Sequence, residues 1–137
     1  MTKLESQLEA KLVAFSPIVL SAFRIVFALL LLCHAASHLF ALPVARLQAD
    51  FGSWPLWWGG LLEAVTGLLL LAGLVTRLAA FVASGVMAFA YFTQHQPKSW
   101  WPIVNNGEPA VLLCFGFFLL VFTGGGALAL DAMRAKR

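Results

Sequence analysis

Four long apolar segments, separated by short polar connections, make up most of this chain. They cover approximately residues 17–42, 55–75, 78–93 and 108–122. A membrane-spanning helix needs about 20 residues, and the two shorter segments reach that length with their flanking residues. Because backbone polar groups must be hydrogen-bonded within the hydrocarbon, helices are the expected form of such segments. The sequence therefore predicts an all-α integral membrane protein, folded as a four-helix bundle.

The composition supports a membrane location. The 137 residues are 61% hydrophobic and 11% charged, whereas about 25% of the residues of a soluble domain are charged. The basic residues are scattered and form no stripe, so nucleic acid is not an expected partner. The expected partners are the lipid bilayer and either another protein or further copies of the chain.

The first residues differ in pattern from the segments that follow. Leu4, Leu8, Leu12 and Phe15 recur at helical spacing, with charged residues on the other faces. This spacing predicts a short amphipathic helix lying at the membrane interface. A docking helix for a partner protein is the alternative. The predicted divisions are an amphipathic segment (1–16), a four-helix domain (17–131) and a basic tail (132–137).

The basic residues also predict the orientation of the chain. Six of them fall on one side of the four predicted spans: Lys3, Lys11, Arg77, Arg134, Lys136 and Arg137. Only Arg46 and Lys98 fall on the other side. Cytoplasmic loops carry the excess of Lys and Arg, so both termini are expected in the cytoplasm.

Five ionisable residues in or beside the apolar segments are predicted to share one depth, in the outer half of the bundle. At a rise of 1.5 Å per residue, His34 and His38 lie about 9 and 3 Å below the outer end of the first helix. Glu63 lies about 12 Å into the second helix, and His95 and Glu108 mark the outer ends of the third and fourth. Such groups usually face the bundle interior and pair with one another, so the cluster is a candidate site. The alternative is a structural polar network that holds the helices together.

Three chemistries fit this cluster. Imidazole and carboxylate groups suit a metal ion, although the HxxxH of His34 and His38 lacks the glutamate of HExxH. They could instead bind a quinone headgroup and relay protons, or form a path for protons or small solutes. Because the chain contains no GxGxxG, P-loop or GxSxG motif, electrons for a redox reaction must come from elsewhere.

Small residues and cysteines complete the pattern. Gly60, Ala64 and Gly67 permit close helix approach, within the bundle or in a homodimer. Cys33 and Cys114 form no CxxC motif and are expected to be small buried hydrophobic side chains. A redox-active pair of these cysteines is the alternative.

Four stretches of the chain resemble the DoxX family: "FRIVFALLLLCHAASHLF", "GLLEAVTGLLLLAGLVTRLAAFVASGVMAFAYFTQH", "PIVNNGEPAVLLCFGFFLL" and "GGGALALD". The resemblance implies a four-helix protein of the bacterial cytoplasmic membrane. The family is named for a subunit of thiosulfate:quinone oxidoreductase, and other members are associated with membrane oxidoreductase complexes handling thiol or oxidative stress. The family motifs carry over to these positions: Arg24, His34, Glu63, Arg77, His95, Asn106, Glu108 and Asp131. His38 stands where the family often has lysine.

From the residues and the resemblance together we expect two groups of site residues. The expected catalytic residues are His34, Glu63, His95 and Glu108. The expected ligand-binding residues are Arg24, His38, Arg77 and Asn106. A quinone is the expected cofactor, and a metal stays open. The expected function is a membrane subunit of a quinone-linked or stress-related oxidoreductase complex; the alternative is a non-catalytic membrane anchor or assembly factor.

Overall fold

The computed structural model describes residues 2–135, except for the side chain of Arg46. Lys136 and Arg137, which belong to the predicted basic tail, lie outside the described residues. Within the described range the chain is helical and contains no strand. The α-helices are α1 (Lys3–Phe40), α2 (Leu56–Ala72), α3 (Thr76–Ala90), α4 (Pro102–Asn105), α5 (Glu108–Thr123) and α6 (Leu130–Arg134). The expected all-α fold is confirmed.

Helix α1 joins the predicted amphipathic segment and the first predicted span without a break. It begins at a capping box, in which the Glu5 N–H donates to the Thr2 hydroxyl at 3.3 Å and the Thr2 N–H donates to the Glu5 carboxylate at 2.6 Å. It contains 38 residues and continues through Pro17, which gives a length of about 57 Å. Its first turns are exposed on every face, from Thr2 to Val19.

Helix α3 is extended by two irregular turns. A π-helical turn follows over Tyr91–His95 and a 3₁₀ turn over Gln96–Lys98, so that the helical segment reaches from Thr76 to Lys98. Inserted π-helical turns occur frequently at functional sites. This turn brings Thr93 and Gln94 to the wall of the candidate site described below.

Four helices pack side by side. α1 packs on α2, α2 on α3, and α3 on α5, while α1 also contacts α5. The core between them contains Ala28, Leu31, Leu70, Ala80, Phe117 and Leu120. The spacing of Gly60 and Gly67 serves the contact between α1 and α2: a Cβ atom at Gly60 would lie 2.8 Å from the His38 Cβ, and one at Gly67 would lie 2.8 Å from the Leu32 Cδ2.

Two helical segments of the described chain are long and apolar enough to cross a membrane, Lys3–Phe40 and Thr76–Lys98. α2 and α5 are apolar helices of 17 and 16 residues, or about 25 and 24 Å. The outer surface of the packed helices carries large exposed apolar side chains, among them Leu68, Phe81, Leu112, Phe115 and Phe122. Such a surface is suited to a lipid environment rather than to water.

Candidate functional site

The polar groups of the bundle are divided between its two ends. We refer to the end where α2 begins and α3 ends as the histidine end, because His38 and His95 lie there. The opposite end, where α2 ends and α3 begins, is the arginine end, because the side chains of Arg24 and Arg77 are bound there. The two ends differ in what their polar side chains contact.

At the histidine end, α1 and α2 bring His38 and Glu63 together. The His38 Nδ1 lies 3.1 Å from the Glu63 Oε2. Glu63 is 3% exposed. Because a carboxylate taken out of water needs compensating partners, His38 is the group that makes burial of Glu63 tolerable.

A small cavity of about 40 Å³ lies beside this pair, between α2 and the end of α3. His38 and Glu63 form one part of its wall, and Thr93 and Gln94 form another. A space of this size holds a water molecule or a small part of a larger ligand. The cavity therefore leaves space for a small bound molecule, or part of a larger one, beside the two side chains.

His34 lies one turn before His38 on the same face of α1. The centroids of the two imidazole rings are 6.4 Å apart, and His34 is half-buried. His34 therefore lies near the contact of His38 with Glu63. In the described part of the chain, one hydrogen bond lies within this group of three side chains, and it joins His38 and Glu63.

His95 and Glu108 lie at the same end of the bundle. Among the described residues, neither forms a hydrogen bond with His38 or Glu63. The His95 Nδ1 lies 3.1 Å from the Asn105 carbonyl oxygen, and its ring stacks on Tyr91. Glu108 is exposed at the first position of α5. Asn106 is exposed, with a left-handed φ of 57° that ends α4.

Asn105, which the sequence analysis did not select, organises the connection between α3 and α5. Its side chain is 2% exposed. Its amide donates to the Ser99 carbonyl at 2.7 Å, and its side-chain oxygen accepts from the Gly107 N–H at 2.7 Å. In the sequence "NNGE" nothing separates the buried asparagine from its exposed neighbour, so this distinction required the fold.

At the arginine end, Arg24 is a buried residue that binds main-chain carbonyls. It is 1% exposed. Its guanidinium donates to the carbonyl of Leu70, to that of Leu71 at 2.8 Å and to that of Gly125 at 2.9 Å. The last carbonyls of a helix lack intrahelical partners, and Arg24 supplies donors to those at the end of α2. Among the described residues Arg24 forms no ion pair with a carboxylate.

Arg77 and Asp131 cap helix ends in the same region. Arg77, which is exposed, donates to the carbonyls of Val121 and Phe122 near the end of α5, each at 2.6 Å. Asp131 accepts from the N–H groups of Val75 and Thr76 at 2.9 and 2.8 Å, and so caps the start of α3. These contacts place a cation at each helix C-terminus and an anion at a helix N-terminus, as the helix dipole favours.

The hydrogen bonds of Asp131 determine its ionisation. Burial raises the pKa of Asp131, but the N–H and hydroxyl of Thr76, the N–H of Val75 and the charge of Arg134 lower it by more. The net pKa therefore lies below the ordinary value of 3.8. Asp131 is an anion fixed to the start of α3.

The cysteines differ from the expectation in one respect. Cys33 is exposed on the outer side of α1 rather than buried, because its position on the helix faces away from α2, whereas Cys114 is half-buried. The Ser84 hydroxyl donates to the Cys114 carbonyl at 2.9 Å. Both thiols are free. Nowhere between residues 2 and 135 do three His, Cys, Asp or Glu side chains meet as a potential metal site.

An all-helical fold with an apolar outer surface and two membrane-length helices is the fold expected of a membrane protein. The DoxX family matches residues 19–96, from α1 to the π-helical turn after α3, and the chain belongs to that family. A relative from Haemophilus influenzae, described as "Uncharacterized protein", is 37% identical over 122 residues, which cover 85% of this chain and 91% of the relative. No solved structure matches the chain.

Proposed function

We propose that the protein is a membrane subunit of a quinone-linked or stress-related oxidoreductase complex, and that His38 and Glu63 form the polar end of its ligand site. The observation that carries the proposal is the buried contact between these two side chains at the wall of a cavity. His34, His95 and Glu108 stay predicted members of the site.

The pair suits a ligand whose oxygen atoms alternate between carbonyl and hydroxyl forms. With its proton on Nδ1, directed at Glu63, a neutral His38 ring presents Nε2 as an acceptor. When the ring is protonated, Nε2 becomes a donor. The pair can therefore accept from a hydroxyl, donate to a carbonyl and hold a proton at one atom.

A bound quinone would supply the redox chemistry, while this chain would bind and orient the headgroup and hold the proton. A partner protein would supply the electrons, since the sequence contains no nucleotide-binding motif. We place the protein in the bacterial inner membrane with four passes and both termini in the cytoplasm. On this orientation the histidine end faces outward.

Binding of a short-tailed, water-soluble quinone to the purified protein tests this proposal. Fluorescence quenching of the tryptophans gives the affinity. Loss of a hydrogen bond to a charged group should weaken binding by about 10- to 100-fold in Glu63→Gln and in His38→Ala.

Glu9→Gln is the matched control, because Glu9 is exposed in the first turns of α1 and belongs to neither the polar pair nor the cavity. Its affinity should stay within about twofold of the wild type. Equal affinity of the wild type and Glu63→Gln would overturn the proposal.

A non-catalytic anchor is the second candidate, and one observation favours it. The first turns of α1, from Thr2 to Ser16, are exposed on all sides and offer Leu4, Leu8 and Leu12 to a partner. Deletion of residues 2–15 tests this function by co-purification. An anchor would lose its partner on this deletion while keeping it in Glu63→Gln; retention of the partner by the shortened chain would exclude anchoring through this segment.

A further inference from the structure

We infer that the ligand reaches His38 and Glu63 sideways from the bilayer, through a groove between α2 and α3 that accommodates an apolar tail. This inference rests on the proposed function and adds the path and the shape of the ligand. The groove, here named the lateral groove, has a volume of about 270 Å³. Its walls include Trp54, Trp58, Leu62, Val82 and Phe89.

The lateral groove continues into the cavity beside the polar pair. Pro55, Gly59, Val86 and Phe89 line both spaces. The lining of the cavity includes polar residues that the groove lacks, among them His38 and Glu63, whereas the groove is lined by apolar and aromatic side chains and by glycine. Together they form one path with an apolar length and a polar end, which matches a molecule with a hydrogen-bonding head and a hydrocarbon tail.

The open side of the groove faces the outside of the bundle. Trp54 is 74% exposed and Phe89 is 45% exposed, on the surface that also carries the apolar side chains of α2 and α3. The two rings lie 5.9 Å apart between centroids, across the gap between the helices. In a membrane this surface contacts lipid, so the groove is reached from the hydrocarbon and not from water.

Two glycines leave the groove open. A Cβ atom at Gly59 on α2 or at Gly85 on α3 would meet no atom within 4 Å. Other helical glycines of the bundle are in close contact: a Cβ at Gly67 would lie 2.8 Å from Leu32, and one at Gly116 would collide with the Phe27 ring. Helix packing therefore explains Gly67 and Gly116 but does not explain Gly59 and Gly85.

Glycine within a helix is destabilising relative to alanine, so its use where no neighbour requires it calls for another reason. Space for a ligand supplies that reason, because larger side chains on the facing helices would fill the groove. The buried contact of Glu63 with His38, on the wall of the adjoining cavity, is the second observation that points to a guest molecule.

The experiment compares two quinones, one with a long isoprenoid tail and one without a tail, in nanodiscs containing the full chain. Gly85→Leu and Leu62→Trp each add bulk to the groove from one helix, and neither residue lines the polar cavity. Each variant should weaken binding of the tailed quinone about tenfold or more, because the tail loses its apolar contacts, and should leave the tail-less quinone within about twofold.

Ala22→Leu is the matched control, since it adds the same kind of bulk to an exposed position on α1, away from the groove. It should change neither affinity. Glu63→Gln should weaken both quinones. Native mass spectrometry gives the mass of the bound quinone, and thermal unfolding shows whether each variant is folded. Because the two groove variants lie on different helices, the test remains valid if one of them fails to fold.

The outcomes separate the two proposals. Unchanged binding of the tailed quinone in both groove variants, with both quinones weakened by Glu63→Gln, would overturn lateral access and leave the proposed function standing. Failure of the wild type to bind either quinone would overturn both.

Discussion

Charged side chains in this protein have two kinds of contact. Arg24 is buried completely and contacts main-chain carbonyls, whereas Glu63 is buried beside a single titratable partner, His38. A guanidinium that donates to several carbonyls at a helix end stabilises structure in one fixed arrangement. A carboxylate beside an imidazole can change its state by gaining or losing a proton. These contacts assign a structural role to Arg24 and leave His38 and Glu63 as the candidates for chemistry.

The structural role of Arg24 leads to a prediction about stability. Arg24→Met removes the donors of the carbonyls at the end of α2 and in the loop near Gly125, and buried carbonyls without partners cost about 1–3 kcal/mol each. We expect the free energy of unfolding to fall by about 3 kcal/mol, measured by equilibrium unfolding in mixed micelles.

Lys11→Met is the matched control for this substitution, because Lys11 is an exposed basic residue on the same helix. Its effect should stay within about 0.5 kcal/mol. If both variants lost the same stability, the carbonyl contacts of Arg24 would not be what holds this end together.

At the scale of elements, short contacts attach α6 and the glycine-rich loop to the bundle. Asp131 of α6 accepts from the first N–H groups of α3, and its own N–H donates to the Gly73 carbonyl at 2.9 Å. The Ala127 N–H donates to the Pro17 carbonyl at 3.0 Å, which joins the loop to α1. These hydrogen bonds hold α6 and the glycine-rich loop against the bundle at the arginine end. At the other end, the π-helical turn changes the course of α3.

The cap at the start of α3 predicts a dependence of stability on pH. Because the pKa of Asp131 is lower in the folded state than its ordinary value of 3.8, the ionised group stabilises the fold above that value. This contribution is lost as the pH falls through the folded-state pKa. Asp131→Ala should cost about 1–2 kcal/mol at pH 7, with a smaller cost for Asp131→Asn, which keeps one acceptor.

Unfolding measured between pH 7 and pH 2.5 checks this expectation. The difference between the wild type and Asp131→Ala should shrink at the acid end of the range. A difference that stays constant would show that the charge of Asp131 does not contribute to the stability of α3.

At the scale of the whole molecule, the distribution of basic residues predicts one orientation. Single cysteines at positions 3 and 135, in a chain without Cys33 and Cys114, should react with a membrane-impermeant reagent only after the cells are opened. Single cysteines at positions 50 and 98 should react in intact cells, because the connections at the histidine end are predicted to face outward. The opposite pattern would reverse the orientation, and labelling of positions 3 and 135 on different sides would exclude an even number of passes.

A large part of the fold could be predicted from the sequence, because each membrane helix satisfies its backbone hydrogen bonds within its own segment. The apolar segments predicted at 55–75 and 108–122 correspond to α2 and α5 within three residues at each end. The predicted amphipathic helix at 1–16 and the first predicted span at 17–42 form one helix, which runs through Pro17 and ends at Phe40. A capping box and continuous helical spacing outweigh a single proline there.

From the sequence, the candidate site could be predicted only through the depth of its residues along their helices, not through their contacts. Periodicity and topology place His34, His38 and Glu63 at the same level, since helical rise converts position along the chain into distance. They do not give the rotation of one helix about its neighbour, so they could not select His38 as the partner of Glu63 or separate buried Asn105 from exposed Asn106. The motif resemblance grouped Arg24 and Arg77 with these residues, although their contacts cap helix ends.

By itself the sequence determined the helical class and the approximate ends of α2 and α5, because these follow from hydrophobic length and backbone hydrogen bonding within each segment. The tertiary structure decided which side chains meet. The contact of His38 with Glu63, the capping of α2 by Arg24 and the open space at Gly59 and Gly85 all depend on packing between segments distant in sequence, which local periodicity does not encode.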